Sequence, residues 1–206
     1  MTEHPILFNS EMVRAILDGR KTQTRRVIKP QPIPATVHPL CTANISYLGE
    51  GHYSILWDTP KGDGGLYRDR DSHSPFLCPY GIPGDRLWVR ETWNGNRDIG
   101  IAYKATDPLM NGCPWRPSIH MPRWASRITL EVTNVQVERV QDISEEDAKA
   151  EGVCIHNFSE CQRENNLAFW ELYRHGFRSL WDSINGKRGY GWDSNPWVWV
   201  VKFKVV

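Results

Sequence analysis

Residues 126–138 read SRITLEVTNVQVE, the most regular pattern in the chain. Ile128, Leu130 and Val132 alternate with polar residues, and Val135 and Val137 then continue out of phase. Alternation with period two marks a strand with one buried face. The slip at Thr133–Asn134 implies a bulge, which bends a strand as a small β-barrel requires. Downstream, Ser144 and Asp147 have the spacing of a capping box, opening a short acidic helix that runs through Ala150 to Gly152. A longer helix is predicted over about 165–185, where Trp170, Tyr173, Phe177, Leu180 or Trp181, and Ile184 follow three- and four-residue steps. Trp197, Trp199, Val201, Phe203 and Val205 then alternate strictly, predicting a half-buried closing strand with Lys202 and Lys204 outward.

Upstream, Gly84-Asp85 signals a turn into a strand over 86–92. Leu87 and Val89 share a face, and Glu91 falls on it. A carboxylate in line with core residues is either a site residue or a strand-end glutamate paired with an arginine. Residues 30–84 carry eight prolines and no sustained period, which reads as an excursion with one short strand near Tyr53–Trp57. Residues 94–125 form a second irregular stretch, with a strand near Ile99–Tyr103 and then a ring-rich loop through Trp115 and Trp124. Those rings either stack a base beside Arg116 and Arg123 or pack the loop onto the barrel. The expected architecture is one α+β domain, residues 1–206, built as a small β-barrel flanked by helices. Long irregular insertions fall at about 30–80 and 94–125.

The positive charge is concentrated in residues 9–29, NSEMVRAILDGRKTQTRRVIK. Ser10 can cap a short helix whose apolar face holds Met12, Val13, Ile16 and Leu17, and Gly19 can end it in the left-handed conformation. From Arg14 to Lys29 there are six Lys or Arg against the single acid Asp18, whereas the whole chain of 206 residues carries a net charge of only +1. A glycine hinge that presents cations and hydroxyls suits an anion or nucleotide; it equally suits a solvated helix end whose cations complement the dipole. The low total charge excludes a non-specific nucleic-acid coat. Glu151, in the last turn of the acidic helix, lies against the helix dipole and needs solvent or a cationic partner, which residues 20–26 can supply.

Ten tryptophans supply core or stacking surface. The five cysteines form no CxxC pair and follow no signal-like apolar run, so reduced thiols in the cytoplasm are expected. Cys154, His156 and Cys161 are close enough to hold zinc but lack an evident fourth ligand, so no metal or other cofactor is assigned. No stretch is apolar enough to span a bilayer, and no membrane partner is expected.

The order of elements, together with GRKTQTRR (19–26), resembles the ASCH family of PUA-like β-barrels. That family's mark is Gly-x-Lys followed closely by Arg, here Gly19-Arg20-Lys21 and then Arg25 or Arg26; an acid often found between them is replaced by Thr24. PGDRLWVRETW (83–93), ISEEDAKAEG (143–152) and NPWVWVVKF (195–203) are similar to the larger version carried by phages and prophages, and the resemblance implies a cytoplasmic protein, in the host cell if phage-encoded. Within the family, the Gly-Arg-Lys-Thr-x-Thr run is similar to that of small bacterial N4-acetylcytidine amidohydrolases. The resemblance implies Lys21, Thr24 and Glu151 as catalytic residues. Gly19, Arg20, Arg25, Arg26, Glu91 and Trp93 are the candidates for binding a modified nucleoside or RNA.

The chemistry is coherent. A threonine hydroxyl attacks only when a base takes its proton, and a lysine is that base only when neutral. Burial and adjacent arginines favour the neutral amine, Glu151 can relay a proton, and amides near Gly19 can hold an oxyanion. On a regular strand Lys21 and Thr24 point to opposite faces, so their cooperation requires irregular backbone at 19–22. Two alternatives stand beside hydrolysis: a non-catalytic RNA-binding module, and a ribonuclease, for which no histidine pair is evident in the sequence.

Overall fold

The computed structural model describes residues 1–31, 42–49, 52–60, 66–68, 76–96, 100–107, 114–153 and 172–206. Its strands are β1 (Glu3–Leu7), β2 (Gln23–Val27), β3 (Thr42–Gly49), β4 (His52–Pro60), β5 (Leu66–Arg68), β6 (Phe76–Leu77), β7 (Arg86–Arg90), β8 (Trp93–Asn96), β9 (Gly100–Tyr103), β10 (Thr129–Arg139) and β11 (Trp197–Val205). The helices are α1 (Ser10–Leu17), α2 (Glu145–Ala150) and α3 (Leu172–Asn185). Of the helix expected over 165–185, the part before Leu172, with Trp170, lies outside the described residues, as do Cys154, His156 and Cys161. No described helix is long and apolar enough to cross a membrane.

The central sheet has the order β1-β7-β10-β11-β2; β1 runs parallel to β7 and the other neighbours are antiparallel. The expected bulge lies between Val132 and Asn134, where the β10–β11 register shifts. The expected barrel does not close. β1 and β2 are the two ends of the sheet and share no ladder. A side chain spans the gap instead: Arg26 of β2 donates from Nη2 to the Leu7 carbonyl at 2.6 Å and lies over the Phe8 ring.

β11 departs from the half-buried expectation because both of its faces are covered. Trp197, Trp199, Val201 and Phe203 join Ile6, Val13, Ile16, Leu87, Leu130 and Val132 in the main core. Val198 and Val200, on the opposite face, pack with Ala148, Phe177, Trp181 and Trp192 beneath α2 and α3. Only Val205 at the end of the alternating set is exposed, at 56%. Lys202 and Lys204 do point outward, to Asp147 at 3.7 Å and Glu131 at 2.9 Å.

The excursion after Lys29 holds more order than its proline content implies. β3 and β4 pair antiparallel, with Ile45 opposite Ile55 and Tyr47 opposite Tyr53, and β5 and β6 both join β4. The strand expected near Tyr53–Trp57 is the middle of β4. The ring-rich loop folds into two 3-10 turns, and its Met121 and Ala125 pack with Trp93.

α1 begins one residue earlier than expected. Asn9, not Ser10, is the cap, accepting from the Met12 amide at 2.8 Å. Ser144 does cap α2, accepting from the Asp147 amide at 3.0 Å. Asn9→Ala should lower the unfolding free energy by about 1 kcal/mol, measured by urea denaturation, whereas Ser10→Ala should leave it nearly unchanged.

Candidate functional site

α1 ends at a glycine turn that aims the next residues. Gly19 takes φ +71°, and the Gly19, Arg20 and Lys21 amides donate to Ile16, Ala15 and Ala15 carbonyls. The Thr22 amide donates to Ala150. These donors are spent inside the fold, so the sequence expectation that amides near Gly19 hold an oxyanion does not stand. β2 starts only at Gln23, and Lys21 forms an isolated bridge with Glu151. The backbone at 19–22 is therefore irregular. Lys21 Nζ lies 5.6 Å from the Phe8 ring centroid, and Arg26 Cζ lies 5.1 Å from the same ring. Arg26 shares its face of β2 with Thr24. Lys21 therefore lies beside the ring that Arg26 covers, but it does not hydrogen-bond to Thr24 and is not among the residues lining the cavity described below.

Lys21 is 2% exposed, and its ammonium donates to Glu151 twice, to Oε2 at 2.7 Å and to the main-chain carbonyl at 2.8 Å. The other carboxylate oxygen, Oε1, accepts from Arg25 Nη1 at 3.2 Å. Arg25 is buried as well and is held by two further acids, Glu138 through Nε at 2.8 Å and Asp147 through Nη2 at 3.3 Å. Burial holds the Lys21 ammonium below its ordinary value of 10.5; Glu151 pulls it up, and Arg26 and Arg25 push it down. Gly152 makes the close approach of α2 possible. At φ +80°, a Cβ here would lie 2.8 Å from Ala15 Cβ and 2.9 Å from Lys21 Cβ.

A cavity of about 270 Å³ opens beside this pair, between β2 and α3. Thr24, Arg25, Arg26 and Glu151 line it from the sequence-predicted set, and Thr24 is 2% exposed. Tyr80, Trp181, Asn185 and Arg188 are among the other residues of its wall. Trp181 is fixed by donating from Nε1 to the Tyr190 carbonyl at 2.8 Å. These four were not singled out as site residues in the sequence: Trp181 read as core, and Tyr80 lay in the excursion. Glu138, the strongest holder of Arg25, had no signal beyond its place at the end of β10.

The remaining candidates lie elsewhere. Gly19 and Arg20 border a separate surface hollow, and Arg20 pairs with Asp18 at 2.9 Å. Glu91 is 1% exposed and forms a two-pronged pair with Arg127, at 2.9 and 3.1 Å. The strand-end pairing therefore describes Glu91. Trp93 is buried against Met121 and meets Trp124 edge-on, with ring centroids 5.8 Å apart. Neither residue lines the cavity among the described residues.

Two solved structures are similar to nearly the whole chain. One is an ASCH domain from Lactobacillus crispatus JV V101, at 11% identity and TM-score 0.41, covering 99% of this chain and 79% of that one. The other is a protein of Enterococcus faecalis V583 assigned to the DUF984 family, at 9% identity and TM-score 0.42, covering 100% of this chain and 81% of that one. The first carries the family name that the sequence phrases resemble. No family model and no curated protein matches the sequence.

The lowered Lys21 value sets the sign of a pH effect. Between the folded value and 10.5 the unfolded chain binds the extra proton, so this residue's contribution to stability rises with pH across that window. Urea denaturation should show wild type gaining on Lys21→Met as pH climbs toward 10.5; a flat or falling difference would contradict the burial. Gly152→Ala should cost about 1–3 kcal/mol by the same measurement, because the new methyl meets Lys21 and the backbone is strained.

Proposed function

We propose that the protein is a nucleoside-directed hydrolase that removes the acyl group from N4-acylated cytidine or a related modified nucleoside. The observation that carries this reading is the buried Lys21–Glu151 pair beside a cavity lined by Thr24. The resemblance of GRKTQTRR to the amidohydrolase run supplies the substrate class.

The chemistry follows from the groups at hand. In its amine form, Lys21 Nζ takes the Thr24 hydroxyl proton, and Thr24 Oγ bonds to the acyl carbonyl carbon. The proton held by Lys21 passes to the exocyclic N4 as the carbon–nitrogen bond breaks, which releases cytidine. Water then attacks the Thr24 ester and gives its proton to Lys21, the carboxylic acid leaves, and the proton returns to Thr24 Oγ. Glu151 accepts from Lys21 throughout and fixes the direction of its amine. Burial favours the amine form of Lys21, the Glu151 carboxylate opposes it, and the neighbouring Arg26 and Arg25 charges favour it. Arg25 occupies the second carboxylate oxygen of Glu151 and so keeps the first turned toward Lys21.

A second reading, a non-catalytic RNA-binding module, draws support from the cationic lining: Arg25, Arg26, Lys29 and Arg188 against the single carboxylate of Glu151. No histidine lines the cavity among the described residues, which leaves a ribonuclease without an acid–base pair of that type.

Incubation with N4-acetylcytidine and other acylated nucleosides, with chromatography of the released acid, tests the first reading. Lys21→Arg keeps the charge but supplies no base, and should lower turnover by roughly 10²–10⁴-fold. Thr24→Val keeps the shape and removes the nucleophile, and should abolish turnover while nucleoside binding persists. Absence of turnover on every acylated nucleoside, with RNA binding retained, would establish the second reading instead.

A further inference from the structure

The cations around the cavity divide into two sets. Arg25 is consumed by Glu138, Asp147 and Glu151. Arg26, Lys29 and Arg188 are not: among the described residues none of them has a carboxylate partner, and all three line the cavity. They come from three places. Arg26 is in β2, Lys29 lies just past its end, and Arg188 ends the 3-10 turn that follows α3. Lys29 Nζ lies 5.2 Å from the Tyr190 ring, which draws it to the same turn as Arg188. Burial holds Arg26 below its ordinary value; Tyr80 and Glu151 pull it up and Arg188, a like charge, pushes it down, while its Nε is buried with no hydrogen-bond partner among the described residues.

Three cations line a cavity whose one carboxylate, Glu151, is already held by Lys21 and Arg25, so their charge is left under-compensated. Such an arrangement is stabilised by an anion that supplies the missing negative charge. Guanidinium groups fit the oxygens of a phosphate, and a flexible lysine adds a point charge. At about 270 Å³ the cavity is at the small end of ligand sites, so it suits one nucleotide unit and not several.

Resting on the reading of this cavity as a nucleoside site, we infer that its ligand is phosphorylated, with Arg26, Lys29 and Arg188 holding the phosphate while the base faces Thr24 and Glu151. The substrate class is then a nucleotide, either free or as one residue of an RNA strand.

Calorimetric titration separates these sources with three probes: cytidine, cytidine 5′-monophosphate, and a five-nucleotide RNA with a central cytidine. The inference expects the monophosphate, the RNA or both to bind at least about tenfold tighter than cytidine, the effect of one charge-assisted hydrogen bond. Preference confined to the RNA assigns the phosphodiester; preference shown by the monophosphate assigns the free nucleotide. The preference should shrink as salt rises, and Lys29→Gln and Arg188→Gln should each reduce it. Both positions are exposed, so these variants should fold, with circular dichroism as the check. Equal affinity for all three probes, or a preference unchanged in both variants, overturns the inference. A phosphate preference without turnover on any acylated nucleotide leaves it standing and removes the hydrolase reading alone.

Discussion

An ammonium group and a carboxylate, both withdrawn from water and 2.7 Å apart, are the constraint on which this fold turns. Taking each charge out of water costs several kcal/mol, and their attraction offsets this only with good geometry and further hydrogen bonds. The fold supplies those bonds. Glu151 offers Lys21 its main-chain carbonyl as well as its side chain, and Arg25 occupies the second carboxylate oxygen. The neighbouring backbone is arranged to permit the contact, from the left-handed Gly19 to Gly152, which lets α2 end against Lys21 and Ala15. A hydrophobic pair of similar size would hold these elements together about as well.

Arg25 extends the same logic to the opposite face of β2. It lies opposite Val200, on the side of β11 that packs under α3, and its guanidinium sits 5.9 Å from the Phe177 ring. Its three carboxylate partners come from β10 and from the two ends of α2. One buried guanidinium therefore ties the short helix to the sheet, and with it the position of Glu151. This is why β11 must be apolar on both faces. It separates the main core under α1 from the second core under α2 and α3, and the site forms where β2 meets both.

The sequence made some of this legible and concealed the rest for identifiable reasons. The bulge in β10 was readable because its apolar set changes phase, and the cap of α2 because Ser144 and Asp147 are neighbours in the chain. Lys21 and Glu151 were readable because a cation-rich turn and an acid at the wrong end of a helix dipole each needed a partner. Glu91 presented a different signal, a carboxylate in line with core residues of a strand, and only the position of Arg127 shows that it is a paired strand-end residue. Val198 and Val200 looked like outward positions because alternation describes one buried face and does not report that helices cover the other. The strands β3 and β4 were obscured by prolines that fall mostly outside the paired segments.

The open sheet explains why a cavity exists at this place. Had β1 and β2 paired, a ladder of backbone hydrogen bonds would occupy the gap, and β2 would have no free edge to offer α3. Instead the gap is spanned by the Arg26 side chain, bonded to Leu7 and laid over Phe8. A side chain can both bridge the two strands and present charge to the space beside them, which a backbone ladder cannot. Arg26 is thus common to both features: it bridges the gap between the sheet's ends and adds to the positive lining of the cavity. Arg26 fastens the sheet's ends and lines the cavity together with Thr24, Lys29 and Arg188.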